Sequence, residues 1–251
     1  MNIAIVGYGF VGKATERFFK RFKHHKIFLH DPDLGHYIDI DDFSKMDYTI
    51  MCVPTDLGNG SLNLTVLLQA MRVAHGHIIV RSTVGVNQVK IIQNATNYPV
   101  TFWPEFLREK TWEADTDRAG TNFNYPLILG GDETFKVASD LFDTKTLTHV
   151  IKMTAEEASL SKMSRNAMLA AKVAQANMLY DLCKYWNADY ETVKNFLQRD
   201  GQLGSSHMNI EETNGRRGFH GKCLPKDTTH YESLFGYDNL YTMMLEYNET
   251  L

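Results

Sequence analysis

The sequence lacks the features that mark several large classes of protein. No apolar run approaches the roughly 20 residues that a helix needs to span a bilayer. Basic residues are not in excess, since 26 Lys and Arg stand against 30 Asp and Glu, and this disfavours binding to nucleic acid. Only three cysteines occur, Cys52, Cys183 and Cys223, and their wide separation offers neither a disulfide framework nor a paired zinc motif. We therefore expect a reduced, cytoplasmic protein with no metal site and no nucleic-acid or membrane partner.

The amino terminus also lacks a basic segment before its short apolar stretch. Residues 2–6 run straight into a glycine-containing turn, which predicts a first β-strand rather than a signal peptide. The 251 residues, 43% hydrophobic and 22% charged, have the composition of a globular protein of one large or two small domains.

Short β-branched runs alternate with helical segments over the first 150 residues. The predicted strands are residues 2–6, 26–30, 48–53, 77–81, 99–102 and 126–129, and the helices between them include 11–22, 64–73 and 133–142. Alternation at this spacing implies parallel βαβ units. The sequence therefore predicts an α/β fold with a doubly wound parallel sheet.

Beyond residue 150 the β-branched runs stop and long helices are predicted. Residues 154–186 contain no Pro or Gly, and Thr154 with Glu157 forms a capping-box pattern at the start. A helix over this segment would be roughly 45–50 Å long, too long to be buried in one small domain. We expect it to bridge two domains or to form a subunit interface. Residues 190–199 and 240–247 are predicted as shorter helices.

Gly7, Gly9 and Gly12 form a GxGxxG motif between the first strand and the first helix. Alone, this pattern is also compatible with a tight surface turn. Here, however, Asp31 ends the next predicted strand. Gly7 would permit the tight turn, Gly9 would let the backbone approach a pyrophosphate, and Gly12 would allow close packing. The helix amino terminus would bind the phosphates, while Asp31 would bind the adenosine ribose and favour NAD over NADP. We therefore predict a Rossmann domain that binds NAD.

Residues 218–228, GFHGKCLPKDT, surround Cys223 with small and charged residues. Lys222 and Lys226 flank the sulfur, and Asp227 lies four residues further along the chain. A partly exposed thiolate in an electropositive setting is typical of a catalytic nucleophile. The alternative interpretation is a buried structural cysteine in a glycine-containing loop.

The cysteine segment resembles the catalytic loop of the UDP-glucose/GDP-mannose dehydrogenases, whose usual form is GFGGxCxPKD. Three further segments follow the family's motifs in the same order: RSTVGV at 81–86 is similar to STVPVG, PEFLRE at 104–109 matches PEFLRE, and KMSRNA at 162–167 is similar to KxxxNA. Members of this family oxidise the 6-hydroxymethyl group of a nucleotide sugar to a carboxylate in two NAD-dependent steps, through a thiohemiacetal and a thioester on cysteine.

The resemblance implies three sets of site residues. The catalytic set is Cys223, Lys162, Asn166, Asp227, Glu105 and Thr83. The cofactor-binding set is Gly7, Gly9, Phe10, Val11, Gly12, Asp31, Pro54, Thr55, Thr83 and Lys226. The substrate-binding set is Glu105, Phe106, Leu107, Lys162, Asn166 and Gly221.

The implied roles follow the chemistry of the reaction. Cys223 would attack the C6 aldehyde, and Lys162 with Asn166 would stabilise the oxyanion at C6. Asp227 would act with Lys162 and water as the acid/base system. Glu105 would assist thioester hydrolysis. Thr83 is expected to position the water.

Four of these residues also have an ordinary structural interpretation. Lys162 and Asn166 could form a solvated polar face of the long helix. Thr83 could cap the following helix, and Glu105 could be a surface charge.

The sequence departs from the family pattern at several places. His220 replaces the second glycine of GFGGxC, Gly85 replaces the proline of STVPVG, and Gln202 stands where the family has an arginine that contacts the substrate. Arg216 or Arg217 is a candidate replacement for that charge. The family's second Rossmann-like domain, which binds the nucleotide, has no counterpart, so we expect a short form of the family.

The sequence thus predicts an NAD-binding Rossmann domain at residues 1–150 and a helical dimerisation and catalytic-cysteine domain at 151–251. The expected substrate is a nucleotide sugar such as UDP-glucose, and the expected partner is a second copy of the chain, or alternatively a separate nucleotide-binding chain. Two other functions stay open: a two-electron dehydrogenase of the β-hydroxyacid type, which needs no catalytic cysteine, and a non-catalytic NAD-binding relative.

Overall fold

The computed structural model of the protein describes residues 1–22, 24–119, 127–142, 150–210 and 215–251. They form two compact units. The first comprises Met1–Asp56 and Leu62–Lys162, and the second comprises Leu57–Ser61 and Met163–Leu251. The first unit extends past the predicted boundary at residue 150, because Ala155 and Ala158 belong to its hydrophobic core.

A seven-stranded sheet with the order β2-β1-β3-β6-β7-β8-β9 forms the centre of the first unit. Its strands are β1 (Asn2–Val6), β2 (Lys26–His30), β3 (Tyr48–Met51), β6 (His77–Val80), β7 (Val100–Phe102), β8 (Leu127–Gly131) and β9 (Val150–Met153). A separate two-stranded sheet consists of β4 (Leu57–Gly58) and β5 (Ser61–Leu62). The doubly wound α/β architecture is confirmed.

One pairing of the large sheet differs from the predicted parallel arrangement. β7 pairs with β8 antiparallel, with Thr101 opposite Gly131, whereas the other neighbouring strands are parallel. β8 therefore runs opposite to the first five strands of the order. Gly131 has a φ of +106° at this pairing, and a Cβ there would lie 2.8 Å from the carbonyl oxygen of Val100. The strand β9 was not predicted, and Pro126, the first residue of the sixth predicted strand, lies outside the described residues.

Helices cover both faces of the sheet because strand residues alternate between two hydrophobic cores. In β1, Ile3 and Ile5 belong to one core, and Ala4 and Val6 belong to the other. The helices of the first unit are α1 (Phe10–Phe19), α2 (Ile40–Phe43), α3 (Thr65–Met71), α4 (Val89–Asn94), α5 (Trp112–Ala119) and α6 (Thr134–Leu141).

The long helix, α7, spans Ala155–Tyr185, close to the predicted 154–186. Its 31 residues correspond to a length of roughly 46 Å. The predicted capping box is confirmed. The Thr154 N–H donates to Glu157 Oε2 at 2.7 Å, and the Glu157 N–H donates to Thr154 Oγ1 at 3.1 Å.

The second unit is mainly helical. After the later turns of α7 it contains α8 (Tyr190–Arg199), α9 (Cys223–Ser233) and α10 (Leu240–Glu249). Its core includes Ala170, Ala174, Phe219 and Met244. Among the helices of the described ranges, none is long and apolar enough to cross a membrane.

Candidate active site

The glycine turn joins β1 to α1 and is built as its motif predicts. Gly7 has a φ of +88°, and a Cβ there would lie 2.7 Å from the carbonyl oxygen of Cys52. A Cβ at Gly12 would lie 2.1 Å from the carbonyl oxygen of Gly7, so the close packing is against the turn itself. A Cβ at Gly9 would meet no atom within 4 Å. Two glycines are therefore required by the fold, whereas Gly9 leaves open space where a ligand can approach.

The amino terminus of α1 faces this turn without a side-chain cap. Its first residues, Phe10 and Val11, contribute backbone N–H groups that have no partner within the helix. Together with the positive end of the helix dipole, such groups favour a phosphate.

Asp31 lies at the end of β2, directly beside the turn. Its Oδ2 atom accepts a hydrogen bond of 2.6 Å from the N–H of Tyr8, the residue between the first two glycines of the motif. This contact places a carboxylate next to the glycine turn, as a ribose-binding residue requires. The turn, the open space at Gly9 and this carboxylate together fit a dinucleotide.

Pro54, Thr55 and Thr83 also lie at this edge of the sheet. Pro54 and Thr55 follow the carboxyl end of β3, and Thr83 follows β6, which pairs with β3 in parallel. Ligands of doubly wound sheets bind at the carboxyl ends of the strands. The alternative role of Thr83 as a helix cap is wrong, because Gly85 caps the following 3₁₀ helix.

The different surroundings of Gly9, which has open space beside it, and Gly12, which lies against backbone, give a first testable prediction. We expect Gly9→Ala to leave the midpoint of thermal unfolding nearly unchanged. NAD binding should weaken at least tenfold, because the added methyl group occupies the open space at the pyrophosphate position. Gly12→Ala is expected to destabilise the fold itself, since its Cβ meets backbone. Calorimetric NAD titration and thermal unfolding of both variants check this. Equal NAD affinity in Gly9→Ala and the wild type would contradict it.

A buried ion pair lies in the first unit where β7 is followed by the PEFLRE segment. The Lys162 Nζ donates to the carbonyl oxygen of Glu105 at 2.7 Å and to its Oε1 at 2.8 Å. Both side chains are 6% exposed. The other carboxylate oxygen, Oε2, accepts a 2.7 Å hydrogen bond from the N–H of Leu107. Glu105 is therefore not a surface charge, and this carboxylate with its cation is held in one geometry.

The surroundings of this pair include two more predicted residues. The ring centroid of Phe106, itself buried, lies 5.7 Å from the Lys162 ammonium. Thr83, Pro104 and Lys162 line a small cavity of the first unit. Thr83 and the Lys162 side chain thus border one space.

Cys223 is the first residue of α9 in the second unit, and it is partly exposed. A thiolate at a helix amino terminus is favoured by the helix dipole. The loop before it bends at Gly218 and Gly221, whose φ angles are +99° and +84°. By contrast, Cys52 is buried, and burial raises the pKa of its thiol to about 11. Of these two cysteines, Cys223 has the surroundings of a nucleophile.

Asp227 lies one turn beyond Cys223 on α9 and is 1% exposed. Its Oδ2 accepts a 2.6 Å hydrogen bond from Asn166 Nδ2, and its Oδ1 lies 2.9 Å from Lys226 Nζ. Lys226, which we predicted to bind the cofactor, is thus engaged with this carboxylate. Asn166 is 4% exposed, so it is not part of a solvated face of α7.

Lys162 and Asn166 lie one turn apart on α7, as predicted, but they hold different carboxylates. Lys162 pairs with Glu105, and Asn166 pairs with Asp227. The predicted acid/base partnership of Asp227 with Lys162 stays a prediction, and within the second unit Lys226 lies 2.9 Å from Asp227. The long helix therefore presents two buried polar pairs in successive turns.

His220, which departs from the family pattern, and the two arginines that are candidate replacements for the missing charge all have local partners. His220 Nε2 lies 2.8 Å from the carbonyl oxygen of Arg217. Arg217 forms an ion pair with Asp181, at 2.8 Å from Nη1 to Oδ1, and this guanidinium holds the pKa of Asp181 below its usual range. Arg216 Nη2 lies 3.4 Å from Glu249 Oε2.

One buried polar residue near Cys223 carried no signal in the sequence. Asn248, near the end of α10, bonds to the backbone of Phe219 in the cysteine loop. A single asparagine close to the end of a helix matches no motif, and 29 residues separate it from Phe219. In the described ranges, no three His, Cys, Asp or Glu side chains are grouped so as to hold a metal ion.

The chain is similar in sequence to known nucleotide-sugar dehydrogenases. Residues 156–249 match the central-domain model of the UDP-glucose/GDP-mannose dehydrogenase family. The UDP-glucose 6-dehydrogenase AglM of Haloferax volcanii is 24% identical over 286 aligned residues, which cover 91% of this chain and 64% of AglM. The chain thus spans less than two thirds of that relative.

Solved structures have the same fold. A UDP-glucose dehydrogenase from Pyrobaculum islandicum superposes with a TM-score of 0.82 at 20% identity, covering 99% of this chain and 68% of that one. A 3-hydroxyisobutyrate dehydrogenase from Mycobacterium tuberculosis superposes with a TM-score of 0.67 at 14% identity, covering 99% of this chain and 93% of that one.

Proposed function

We propose that the chain, whose residues 156–249 match the central domain of the UDP-glucose/GDP-mannose dehydrogenases, is a member of that family and an NAD-dependent oxidoreductase that converts the 6-hydroxymethyl group of a nucleotide sugar to a carboxylate. The observation that carries the proposal is the partly exposed Cys223 at the start of α9, one turn from the buried Asp227. Both residues lie in the segment that matches the family.

The glycine turn, the amino terminus of α1 and Asp31 would hold the cofactor. NAD, when bound, supplies the hydride acceptor for each of the two oxidation steps. Gly9 leaves the space for the pyrophosphate, and the N–H groups of Phe10 and Val11 point along the helix axis toward it. Asp31 favours NAD because its carboxylate would repel the 2′-phosphate of NADP.

Cys223 supplies the covalent step. Its thiolate adds to the C6 aldehyde formed in the first oxidation, which makes a C–S bond and an oxyanion that takes up a proton. Loss of hydride and a proton from this thiohemiacetal gives a thioester. Water then adds to the thioester, the C–S bond breaks, and the carboxylate and the free thiol are released.

Lys162 and Asn166 of α7, with their carboxylate partners Glu105 and Asp227, would serve the remaining chemistry. The Lys162 ammonium and the Asn166 amide provide hydrogen-bond donors for oxygen atoms that become negative. Asp227 would accept the proton of the alcohol, and the Lys226 ammonium lies 2.9 Å from its Oδ1. Glu105 would accept a proton from the hydrolytic water, and Thr83 would orient that water.

The sugar nucleotide would lie against Phe106 and Leu107 of the PEFLRE segment and against Gly221 of the cysteine loop. Gly221 suits such a contact because a Cβ there would meet no atom within 4 Å. The N–H of Leu107 already donates to Glu105, so the carbonyl groups of this segment are the better contacts for sugar hydroxyls.

A second copy of the chain is the partner we propose for α7. Three of its large apolar side chains are exposed in the second unit: Met168 at 62%, Met178 at 58% and Leu182 at 54%. An apolar helix face of this kind is typical of a subunit interface. A separate nucleotide-binding chain is the alternative partner.

A two-electron dehydrogenase of the β-hydroxyacid type is the second candidate function. The observation in its favour is the superposition on 3-hydroxyisobutyrate dehydrogenase, because this chain covers 93% of that structure. That likeness concerns the fold. Such chemistry has no use for Cys223 or for the Lys226–Asp227 pair, so the site favours the first candidate. A non-catalytic NAD-binding relative is the third.

The proposed function is tested by NADH production from the purified protein with UDP-glucose, GDP-mannose and their N-acetylamino relatives, each tried beside 3-hydroxy acids. Turnover of a nucleotide sugar supports the proposal. Turnover of a 3-hydroxy acid supports the second candidate. NAD binding without turnover of any substrate would contradict both and leave the non-catalytic relative.

A further inference from the structure

Asn248 has both ends of its side-chain amide bonded to one residue of the cysteine loop. Its Oδ1 accepts a 2.8 Å hydrogen bond from the N–H of Phe219, and its Nδ2 donates to the Phe219 carbonyl oxygen at 3.3 Å. The side chain is 6% exposed. A buried amide with both ends satisfied fixes its partner strongly, because breaking either bond leaves a polar group without water.

The loop is shaped to admit this amide. Gly218 has a φ of +99°, and a Cβ there would lie 2.3 Å from Asn248 Oδ1 and 3.2 Å from its Cγ. The ring of Phe219 is 2% exposed and packs in the core with Ala170, Ala174 and Met244. The loop is therefore anchored by backbone and side chain at Phe219, four residues before the thiol.

We propose that Asn248 is the positioning residue of the cysteine loop: through Phe219 it fixes where α9 begins, and so where the Cys223 thiol stands. This inference rests on the proposed function only in that the proposed function makes the Cys223 thiol catalytic. Asn248 acts through the backbone of Phe219 and need not touch the substrate.

The alternative is that Asn248 merely stabilises the helical unit. Asn239 provides a matched control, because it caps the start of the same helix and its Oδ1 accepts a 2.8 Å hydrogen bond from the N–H of Tyr241. Asn239→Ala removes a cap of α10 and is expected to destabilise the unit. The hydrogen bonds of Asn239 go to Thr242, Tyr237 and Tyr241, which lie outside the cysteine loop.

The test measures the alkylation rate of Cys223 by iodoacetamide, followed by mass spectrometry of its peptide, together with thermal unfolding. We expect Asn248→Leu to accelerate alkylation at least fivefold under native conditions, because a released loop exposes the half-buried thiol. Asn248→Asp keeps an acceptor for the Phe219 N–H and is expected to fall between Asn248→Leu and the wild type. Asn239→Ala is expected to stay within twofold of the wild type.

The proposal is overturned if the Asn248 variants change alkylation no more than Asn239→Ala at equal loss of stability. Should Asn248→Leu not fold, the Asn248→Asp variant decides the question by the same criterion. The readout requires neither NAD nor a sugar, so it stands even if the proposed activity fails. Where turnover is present, Asn248→Asp should lower kcat more than threefold while the NAD affinity is unchanged.

Discussion

Cys223→Ser is expected to abolish formation of the sugar acid, lowering its rate about 10³-fold or more. A serine hydroxyl at the start of α9 is not ionised near neutral pH and cannot carry a thioester, so the second oxidation has no covalent intermediate. The measurement is the chromatographic yield of uronate from each nucleotide sugar.

Cys183→Ser is the control for this experiment. Cys183 is buried in the later part of α7 and belongs to no proposed step, so this variant should produce uronate at nearly the wild-type rate. If Cys223→Ser formed uronate as fast as Cys183→Ser, the covalent mechanism would be wrong. A two-electron oxidation that survives Cys223→Ser would favour the β-hydroxyacid type.

Lys162→Met is expected to lower the free energy of unfolding by about 3–5 kcal/mol, because it leaves the carboxylate of Glu105 buried without its cation. Both partners are 6% exposed, and the pair is 2.8 Å apart. The same variant should lose turnover, since its ammonium is a proposed oxyanion donor. Urea unfolding midpoints measure the first effect and NADH production the second.

Two further variants distinguish the loss of the buried ion pair from the general effect of replacing a lysine. Lys162→Met with Glu105→Gln removes both charges and leaves an acceptor for the N–H of Leu107, so most of the lost stability should return while turnover stays absent. Lys90→Met removes one partner of an exposed pair with Glu156, 3.9 Å apart, and should leave the midpoint nearly unchanged. Equal midpoints for Lys162→Met and Lys90→Met would show that the buried pair contributes no stability.

Local pattern was enough to predict the glycine turn and the long helix. Gly7 has a φ of +88°, and a Cβ at Gly12 would meet the backbone of Gly7, five residues earlier, so both requirements for glycine have a local part that leaves a motif in the sequence. The capping box at Thr154 and Glu157 is likewise a contact between residues three apart. Features set by neighbours along the chain are therefore readable from it.

Other features depend on distant contacts and could not be predicted. β8 pairs antiparallel with β7, and local residue propensities do not indicate the direction of a strand in a sheet. The start of α9 is likewise not fixed by local pattern, although proline favours the first helical position. The helix begins instead at Cys223, and Pro225 is accepted two residues later because the first-turn N–H groups need no helical partner.

The pairing within the candidate site shows the same limit. Sequence similarity suggested which residues matter, yet the partners of Lys162 and Asp227 lie 57 and 61 residues away, at Glu105 and Asn166. Lys226, which the resemblance assigns to the cofactor, also lies 2.9 Å from the neighbouring carboxylate, and no motif indicates that contact. Which buried charges meet is a property of tertiary packing, and only the folded chain reveals it.

The most direct test of the central claim is the number of NADH molecules formed per molecule of nucleotide sugar consumed to completion. An enzyme that carries the aldehyde on Cys223 through to the acid forms two. The formation of one NADH per sugar, with an aldehyde or ketone as the final product, would contradict the account.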